Sequence, residues 1–139
     1  MVFDKLNSAM MGPFVDTHLF NISIPNNVVK FGVGAFVTTP IQSILIPKTV
    51  TTIAKTAFIN NEQLKVIRVD PDNPVYDSRN RCSCIIETAS NTLVAGCVES
   101  EIPNDVTSIG DFAFMSINLE NIIIPSSITS IGNKAFFGC

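Results

Sequence analysis

Apolar residues along this chain fall into short groups that recur at a fixed spacing, separated by Pro, Thr, Ser and Asn. Ile-Pro occurs four times, and an Ala-Phe pair follows each Ile at the same distance along the chain. The step from Ile24 to Ile46 equals the step from Ile102 to Ile124. A period of roughly 20 to 50 residues is typical of stacked repeats. The pairs are Ile24-Pro25 with Ala35-Phe36, Ile46-Pro47 with Ala57-Phe58, Ile102-Pro103 with Ala113-Phe114, and Ile124-Pro125 with Ala135-Phe136.

Each repeat begins with apolar residues at alternate positions, such as Ile44 and Ile46, which is the period of a half-buried strand. Pro47 lacks the N–H that a strand neighbour would need, so we expect it to end the strand. A turn follows, and Phe58 then points an aromatic ring inward. One such coil cannot bury its own apolar side, whereas stacked coils can. The pattern therefore predicts a mainly-β or α/β-type repeat solenoid.

The middle of the chain departs from this spacing. The strand set Leu64, Ile67 and Val69 is present, but Asp70 stands where the Ile-Pro turn should begin. The stretch from Val69 to Ile102 is longer than one coil by about half a coil. The excess contains CSCIIETASNTLVAGC, two apolar runs around a polar TASNT, which predicts a β-hairpin.

We therefore predict one solenoid domain over residues 1–139. It comprises a degenerate coil at 1–14, regular coils around 19–36, 41–58, 97–114 and 119–136, and a long hairpin-bearing coil at 64–97. A finished solenoid ends in a polar cap, whereas this chain ends on AFFGC. We expect it to be a fragment of a longer array.

The repeat unit L-x-x-I-x-I-P-x-x-V-T-x-I-G-x-x-A-F-x-G-C resembles that of the BspA-like leucine-rich repeat family. The residues that carry the match are Leu119, Ile122, Ile124, Pro125, Ile128, Ile131, Gly132, Ala135, Phe136, Gly138 and Cys139. The resemblance implies a right-handed leucine-rich-repeat superhelix with short parallel strands on one face. It also implies an extracellular or cell-surface protein that binds host, matrix or cell-surface proteins, although this chain shows no signal peptide.

The composition excludes several classes of function. Only 15% of residues are charged, the formal net charge is -3, and the nine basic residues form no cluster. That pattern disfavours nucleic-acid binding and a polybasic membrane patch. No run of about 18 apolar residues occurs, so we expect no membrane insertion.

The four cysteines allow three interpretations. Zinc could be held by Cys82, Cys84 and Cys97 with His18 or Cys139, but the second closely spaced ligand pair of a structural site is missing. A disulfide between Cys84 and Cys97 across the hairpin is conceivable. The favoured interpretation is that the cysteines are small buried hydrophobic residues of the solenoid core.

Catalysis is not supported by the pattern. His18 is the only histidine, lies in a predicted loop and has no suggested acidic partner. The stretch Asp70-Pro71-Asp72-Asn73 lacks the Gly and distal Glu of an EF-hand, so it predicts a turn. The glycines are scattered and form no phosphate loop. We predict no enzyme activity, no cofactor and no metal.

Residues between the inward positions of each predicted strand should face solvent as one row. Exposed apolar side chains mixed with a few charges suit protein recognition, although strand propensity alone also places such residues on surfaces. Our first hypothesis is adhesin-like binding of a protein ligand, and the alternative is a structural spacer of repeats that carries another functional domain. The predicted face comprises Ser43, Leu45, Val66, Arg68, Glu99, Glu101, Asn121 and Ile123.

Overall fold

The computed structural model describes residues 2–3 and 21–139. His18 therefore lies outside the described residues. The same holds for the start of the coil predicted at 19–36 and for all but two residues of the degenerate coil predicted at 1–14. The strands are β1 (Val2–Phe3), β2 (Asn21–Ile22), β3 (Lys30–Phe31), β4 (Ser43–Ile46), β5 (Thr52–Ile53), β6 (Val66–Val69), β7 (Tyr76–Asp77), β8 (Ile85–Glu87), β9 (Thr92–Ala95), β10 (Ser108–Ile109) and β11 (Ser130–Ile131), with one 3-10 turn at Arg79–Arg81. No helix in these ranges is long and apolar enough to cross a membrane.

The strands form a mainly-β solenoid in which each coil adds to sheets begun by the coil before it. Strands β2, β4 and β6 make one parallel sheet, and β1, β3 and β5 make a second. The third sheet has the order β11-β10-β9-β8-β7. Its β9, β10 and β11 are parallel, whereas β7-β8 and β8-β9 pair antiparallel. The predicted class, a mainly-β repeat solenoid, is confirmed.

The same turn follows each Ile-Pro pair. The carbonyl of Pro25 accepts a hydrogen bond from the N–H of Val28 at 3.1 Å, and the other three copies repeat this contact at 3.1 Å or 3.2 Å. A hydrogen bond across three residues closes a β-turn, and Pro supplies a carbonyl without needing a partner for an N–H. The spacing of Pro and Val in the sequence is therefore the spacing of this turn.

The inward phenylalanines stack between neighbouring coils. Phe36 lies on Phe58 with ring centroids 5.0 Å apart, and Phe114 lies on Phe136 at 5.2 Å. The N–H of Phe36 also donates to the carbonyl of Ala57 at 2.8 Å, so the backbone holds the two rings in register. Phe36, Phe58 and Phe114 are all buried.

Gly96 occupies the Phe position of the middle coil. Its N–H donates to the Ala113 carbonyl at 2.8 Å, the contact that Phe36 makes with Ala57 in the regular coils. A Cβ on Gly96 would lie 2.0 Å from the ring of Phe114. The ring of Phe114 therefore fills the space that a side chain at position 96 would occupy, and the phenylalanine ladder is interrupted there.

The segment expected to form a hairpin contains the antiparallel strands β8 and β9, joined by residues 88–91. The turn predicted at Asp70 is confirmed, because the Asp70 carboxylate accepts from the N–H of Asp72 and the Asp70 carbonyl from the N–H of Asn73.

Strands predicted over the two later coils are absent. No strand forms at 97–102 or 119–124. The N–H of Val98 still bonds to Leu64, but the N–H of Glu101 bonds to the Cys82 carbonyl in the hairpin-bearing coil. Because the Glu101 donor goes to that coil rather than to β6, the sheet of β2, β4 and β6 ends at β6.

The phenylalanine stack should dominate stability. Replacing Phe58, which is 4% exposed, by Ala removes a buried ring and should lower the free energy of unfolding by about 3–5 kcal/mol. Phe137, 59% exposed, is the matched control, and Phe137→Ala should cost less than about 1 kcal/mol. Urea denaturation followed by circular dichroism measures both, and equal losses would contradict the stacking model.

Gly96→Ala tests the interruption of the ladder. The added methyl overlaps the Phe114 ring, so we expect a loss of about 1–3 kcal/mol from overpacking. Since the obstruction is that ring, adding Phe114→Leu should cost less in the Gly96→Ala background than in the parent chain. Additive losses in the double-mutant cycle would show that the two positions do not compete for the same space.

Candidate functional site

Four of the predicted face residues form a compact group on neighbouring strands, here called the sheet patch: Ser43, Leu45, Val66 and Arg68. Ser43 lies opposite Val66, and Leu45 lies opposite Arg68. Leu45 is 54% exposed and the other three are half-buried. Alternate residues of the same strands, such as Ile44 and Ile67, are buried in the core. Leu45 is thus an exposed apolar side chain on a backbone whose other face is fixed by packing.

Arg68 is held against the hairpin-bearing coil. One terminal nitrogen of its guanidinium donates to the Ile67 carbonyl at 2.9 Å and to Ser83 Oγ at 3.0 Å. At the other side of the patch, Ser43 Oγ donates to Asn21 Oδ1 at 2.7 Å. The bonds of Arg68 hold its positive charge beside Leu45. They also attach Arg68 to the hairpin-bearing coil, at which the sheet of β2, β4 and β6 ends.

The other four face residues do not join this sheet. Glu99, Glu101, Asn121 and Ile123 are exposed but lie outside any strand, and Glu99 is in a turn. Ile123 is 85% exposed. The structure therefore divides the predicted row at β6.

The observed state of the four cysteines contradicts the disulfide that was considered, and it matches the favoured interpretation only in part. Cys82 and Cys84 form a disulfide, with Cα atoms 5.2 Å apart, so the pairing of Cys84 with Cys97 is wrong. Left-handed backbone at Asn80, Arg81 and Ser83 curls the chain and brings Cys82 and Cys84 together. Cys97 is a free buried thiol, as favoured, whereas Cys139 is free and exposed.

Cys97 is held by backbone carbonyls from two separate parts of the hairpin-bearing coil. Its Sγ lies 3.0 Å from the Lys65 carbonyl and 3.1 Å from the Ser83 carbonyl, so the single thiol proton is shared between the two oxygens. Burial raises the pKa of the Cys97 thiol above its ordinary value. A buried, protonated thiol that contacts two backbone carbonyl oxygens serves in packing, because nucleophilic attack requires an accessible thiolate.

Arg79 holds the hairpin against the following coil. It donates to both carboxylate oxygens of Asp77, to Asp105 Oδ2 at 2.8 Å and to Asn91 Oδ1 at 3.0 Å. Burial alone would raise the pKa of Asp77, but hydrogen bonds from Arg79 and Thr88 outweigh it and lower that pKa. The hydrogen bond to Asp77 raises the pKa of Arg79. This network fixes the orientation of β7 and β8.

A groove that the sequence did not reveal opens between β5 and the five-stranded sheet. It encloses about 420 Å³, within the ~300–1,000 Å³ typical of ligand sites. One row of paired positions crosses the sheet and lines the groove, since directly opposed residues share a face. That row is Tyr76, Glu87, Thr92, Ser108 and Ser130.

The groove exists because the middle coil runs outside the stack at this level. The N–H of Ile53 bonds to the Tyr76 hydroxyl at 3.1 Å, so a side chain takes the place of the next strand beside β5. Burial raises the pKa of the Tyr76 hydroxyl above its ordinary value. Tyr76 is the only tyrosine in the sequence, but nothing in its position relative to the repeat indicates its hydrogen bond to Ile53.

Lys55 and Asp111 close one side of the groove. Each lies two residues before the Ala of an Ala-Phe pair, in coils separated by the middle coil. Lys55 Nζ and Asp111 Oδ2 lie 2.6 Å apart and form an ion pair. Hydrogen bonds from Lys55 and from the N–H of Asn133 lower the pKa of Asp111.

Comparisons with known proteins give one consistent result. The family model described as BspA type leucine rich repeat region matches residues 4–92 and 94–139, in six copies. No match was found among curated proteins.

Three solved structures are similar. A leucine-rich repeat protein from Eubacterium ventriosum is 27% identical with a TM-score of 0.73, over 85% of this chain and 33% of that one. A leucine rich cell surface protein from Faecalibacterium prausnitzii is 30% identical with a TM-score of 0.64, over 81% and 31% of the two chains. The pneumococcal vaccine antigen PcpA, 16% identical with a TM-score of 0.67 over 86% and 37%, shares the fold. This chain thus spans about a third of each.

The link across the groove is testable by pH titration. Lys55→Gln should raise the pKa of Asp111 toward its ordinary value, leaving the smaller lowering due to Asn133. Because the folded-state pKa is depressed, the stabilisation is complete above the unfolded pKa of about 4 and is lost as the pH falls through the folded pKa. Carboxyl NMR measures the shift, and Lys48→Gln, at another exposed lysine, is the control. An unchanged Asp111 titration in Lys55→Gln would show that the ion pair is absent in solution.

Proposed function

Because this chain belongs to the BspA-type leucine-rich repeat family, we propose that it is a non-catalytic recognition module that binds a protein partner through the sheet patch. The observation that carries the proposal is Leu45, an apolar side chain 54% exposed on a strand that is buried on its other face. The core does not require it, since Ile44 and Ile46 fill the inward positions.

The surroundings of Leu45 suit a protein interface. Interfaces combine an apolar centre with polar groups at the rim, and arginine is enriched among them. Arg68 lies directly opposite Leu45 and Ser43 lies on the same strand. Arg68 is already oriented by Ser83, so binding would require little further ordering of its long side chain.

The proposed location is the cell surface, where the partner would be a host, matrix or cell-surface protein. Support comes from the family and from the similar structure described as a leucine rich cell surface protein. The Cys82–Cys84 disulfide is consistent with an oxidising environment.

The test uses two matched substitutions, Leu45→Asp in the patch and Val33→Asp, which changes an equally apolar side chain, 60% exposed, outside that sheet. We expect the parent chain to bind at least one member of an immobilised panel of collagen, fibronectin and laminin. Leu45→Asp should weaken that binding at least tenfold, as loss of an interface hot spot does, and Val33→Asp should change it less than twofold. Surface plasmon resonance measures the affinities.

Circular dichroism and melting temperature confirm that both variants remain folded. Equal weakening by the two substitutions would move the site away from the sheet patch. Absence of binding to the whole panel would favour the alternative, in which the coils are a structural spacer.

A further inference from the structure

We propose that the groove between β5 and the five-stranded sheet is a second binding site, which takes a neutral linear oligosaccharide. This site is separate from the sheet patch and does not depend on the protein-binding role proposed for that patch. It rests on four features of the groove: its row of polar groups, the apolar surface beside that row, its charge, and the shortness of the strand edges along it.

The polar row supplies groups that match sugar hydroxyls. Thr92, Ser108 and Ser130 form a hydroxyl row on three adjacent parallel strands, which are about 4.8 Å apart. Each hydroxyl can donate one hydrogen bond and accept two. Ser130 Oγ donates to Ser108 Oγ at 2.9 Å, which leaves the Ser108 proton to be given to a ligand. A linear polyol crossing the strands would meet one side-chain hydroxyl at each step.

The groove also offers apolar surface beside the hydroxyl row. Val94 and Gly110 lie two residues after Thr92 and Ser108 on the same side of the sheet, and Ile53 lines the opposite wall. The apolar C–H face of a sugar ring can pack on this surface while the sugar hydroxyls form hydrogen bonds with the hydroxyl row. Val94 and Ile53 are half-buried and remain partly accessible.

The charges favour a neutral ligand. Lys55 is paired with Asp111, and Glu87 accepts a hydrogen bond from Ser90. The three charged residues of the groove, Lys55, Glu87 and Asp111, sum to a formal charge of -1. A sulfated or phosphorylated chain would meet net repulsion. The Glu87 carboxylate is an acceptor suited to sugar hydroxyl donors.

An extended peptide is the competing occupant, and the backbone disfavours it. A peptide that adds to a sheet needs a strand edge with unpaired N–H and C=O groups. Strands β9 and β10 have partners on both sides, and the N–H of Ile53 on β5 is bonded to Tyr76. The edge strands beside the groove are β5, β7 and β11, and each is only two residues long, which leaves a short ladder for an added peptide.

Tyr76 provides a direct readout, because the chain has one tyrosine and no tryptophan. Intrinsic fluorescence therefore reports on the wall of the groove. We would titrate the chain separately with cellotriose, maltotriose and chitotriose up to millimolar concentrations. We expect a saturable change with at least one of them, together with NMR amide shifts confined to residues 53–55, 76, 87, 92–94, 108–111 and 130–132.

A matched pair of variants locates the contact. Ser108→Ala removes the central hydroxyl and should weaken binding of that trisaccharide by about five- to tenfold. Ser126→Ala, in an exposed turn outside the groove, should leave the affinity unchanged. Melting temperatures of both variants establish that they fold.

Three results would overturn the proposal. The first is that none of the three sugars changes the fluorescence or the amide shifts. The second is that the shifts fall outside the groove, or that Ser108→Ala binds as the parent does. The third is that a hexapeptide of alternating Thr and Val saturates the groove signals while the sugars do not. Since the sheet patch is tested with Leu45→Asp, failure of either proposal leaves the other standing.

Discussion

Contact between like residues of successive coils is the interaction on which this structure depends. A single coil has one apolar side and too little depth to bury it. Burial comes only from the next coil, as when Phe36 lies on Phe58 or Phe114 lies on Phe136. The Pro turns and the Ala carbonyls keep the coils in register, so that each apolar column meets itself. The regular spacing of the repeat along the sequence follows from this matching of columns.

The middle coil satisfies the same constraint with different residues. It keeps the inward position of Ala95 but has Gly96 where a Phe would stand, and the ring of Phe114 occupies the space. Elsewhere it leaves the stack, and Tyr76 supplies the hydroxyl that bonds to β5 in place of a strand. Arg79 then holds the displaced strands by bonding to Asp77 and Asp105. The irregular middle coil is therefore accommodated by a small residue, an aromatic hydroxyl and an ion-pair network.

Column spacing predicted the solenoid and its Pro turns because those features depend on neighbours at a fixed distance in sequence. It did not predict that the sheet ends at β6, because the segment around Glu101 has the alternation of polar and apolar residues that is typical of a strand. The backbone partner of Glu101 is Cys82, and the path of the hairpin determines that pairing. The Cys82–Cys84 bond depends on left-handed backbone at Ser83, which the sequence does not indicate for a serine. The groove was missed because Lys55 and Asp111 lie far apart in sequence and meet only where the middle coil is displaced.

The two candidate surfaces have a common origin in that displacement. By leaving the stack, the middle coil ends the sheet of β2, β4 and β6, and Ser83 of the same coil binds Arg68 beside Leu45. On the other side its β8 and β9 carry Glu87 and Thr92 into the groove. A run of identical coils would present continuous sheets with no such boundaries. The irregular coil therefore creates local chemistry on an otherwise repetitive surface, and specificity in an array of this kind should be concentrated where such coils occur.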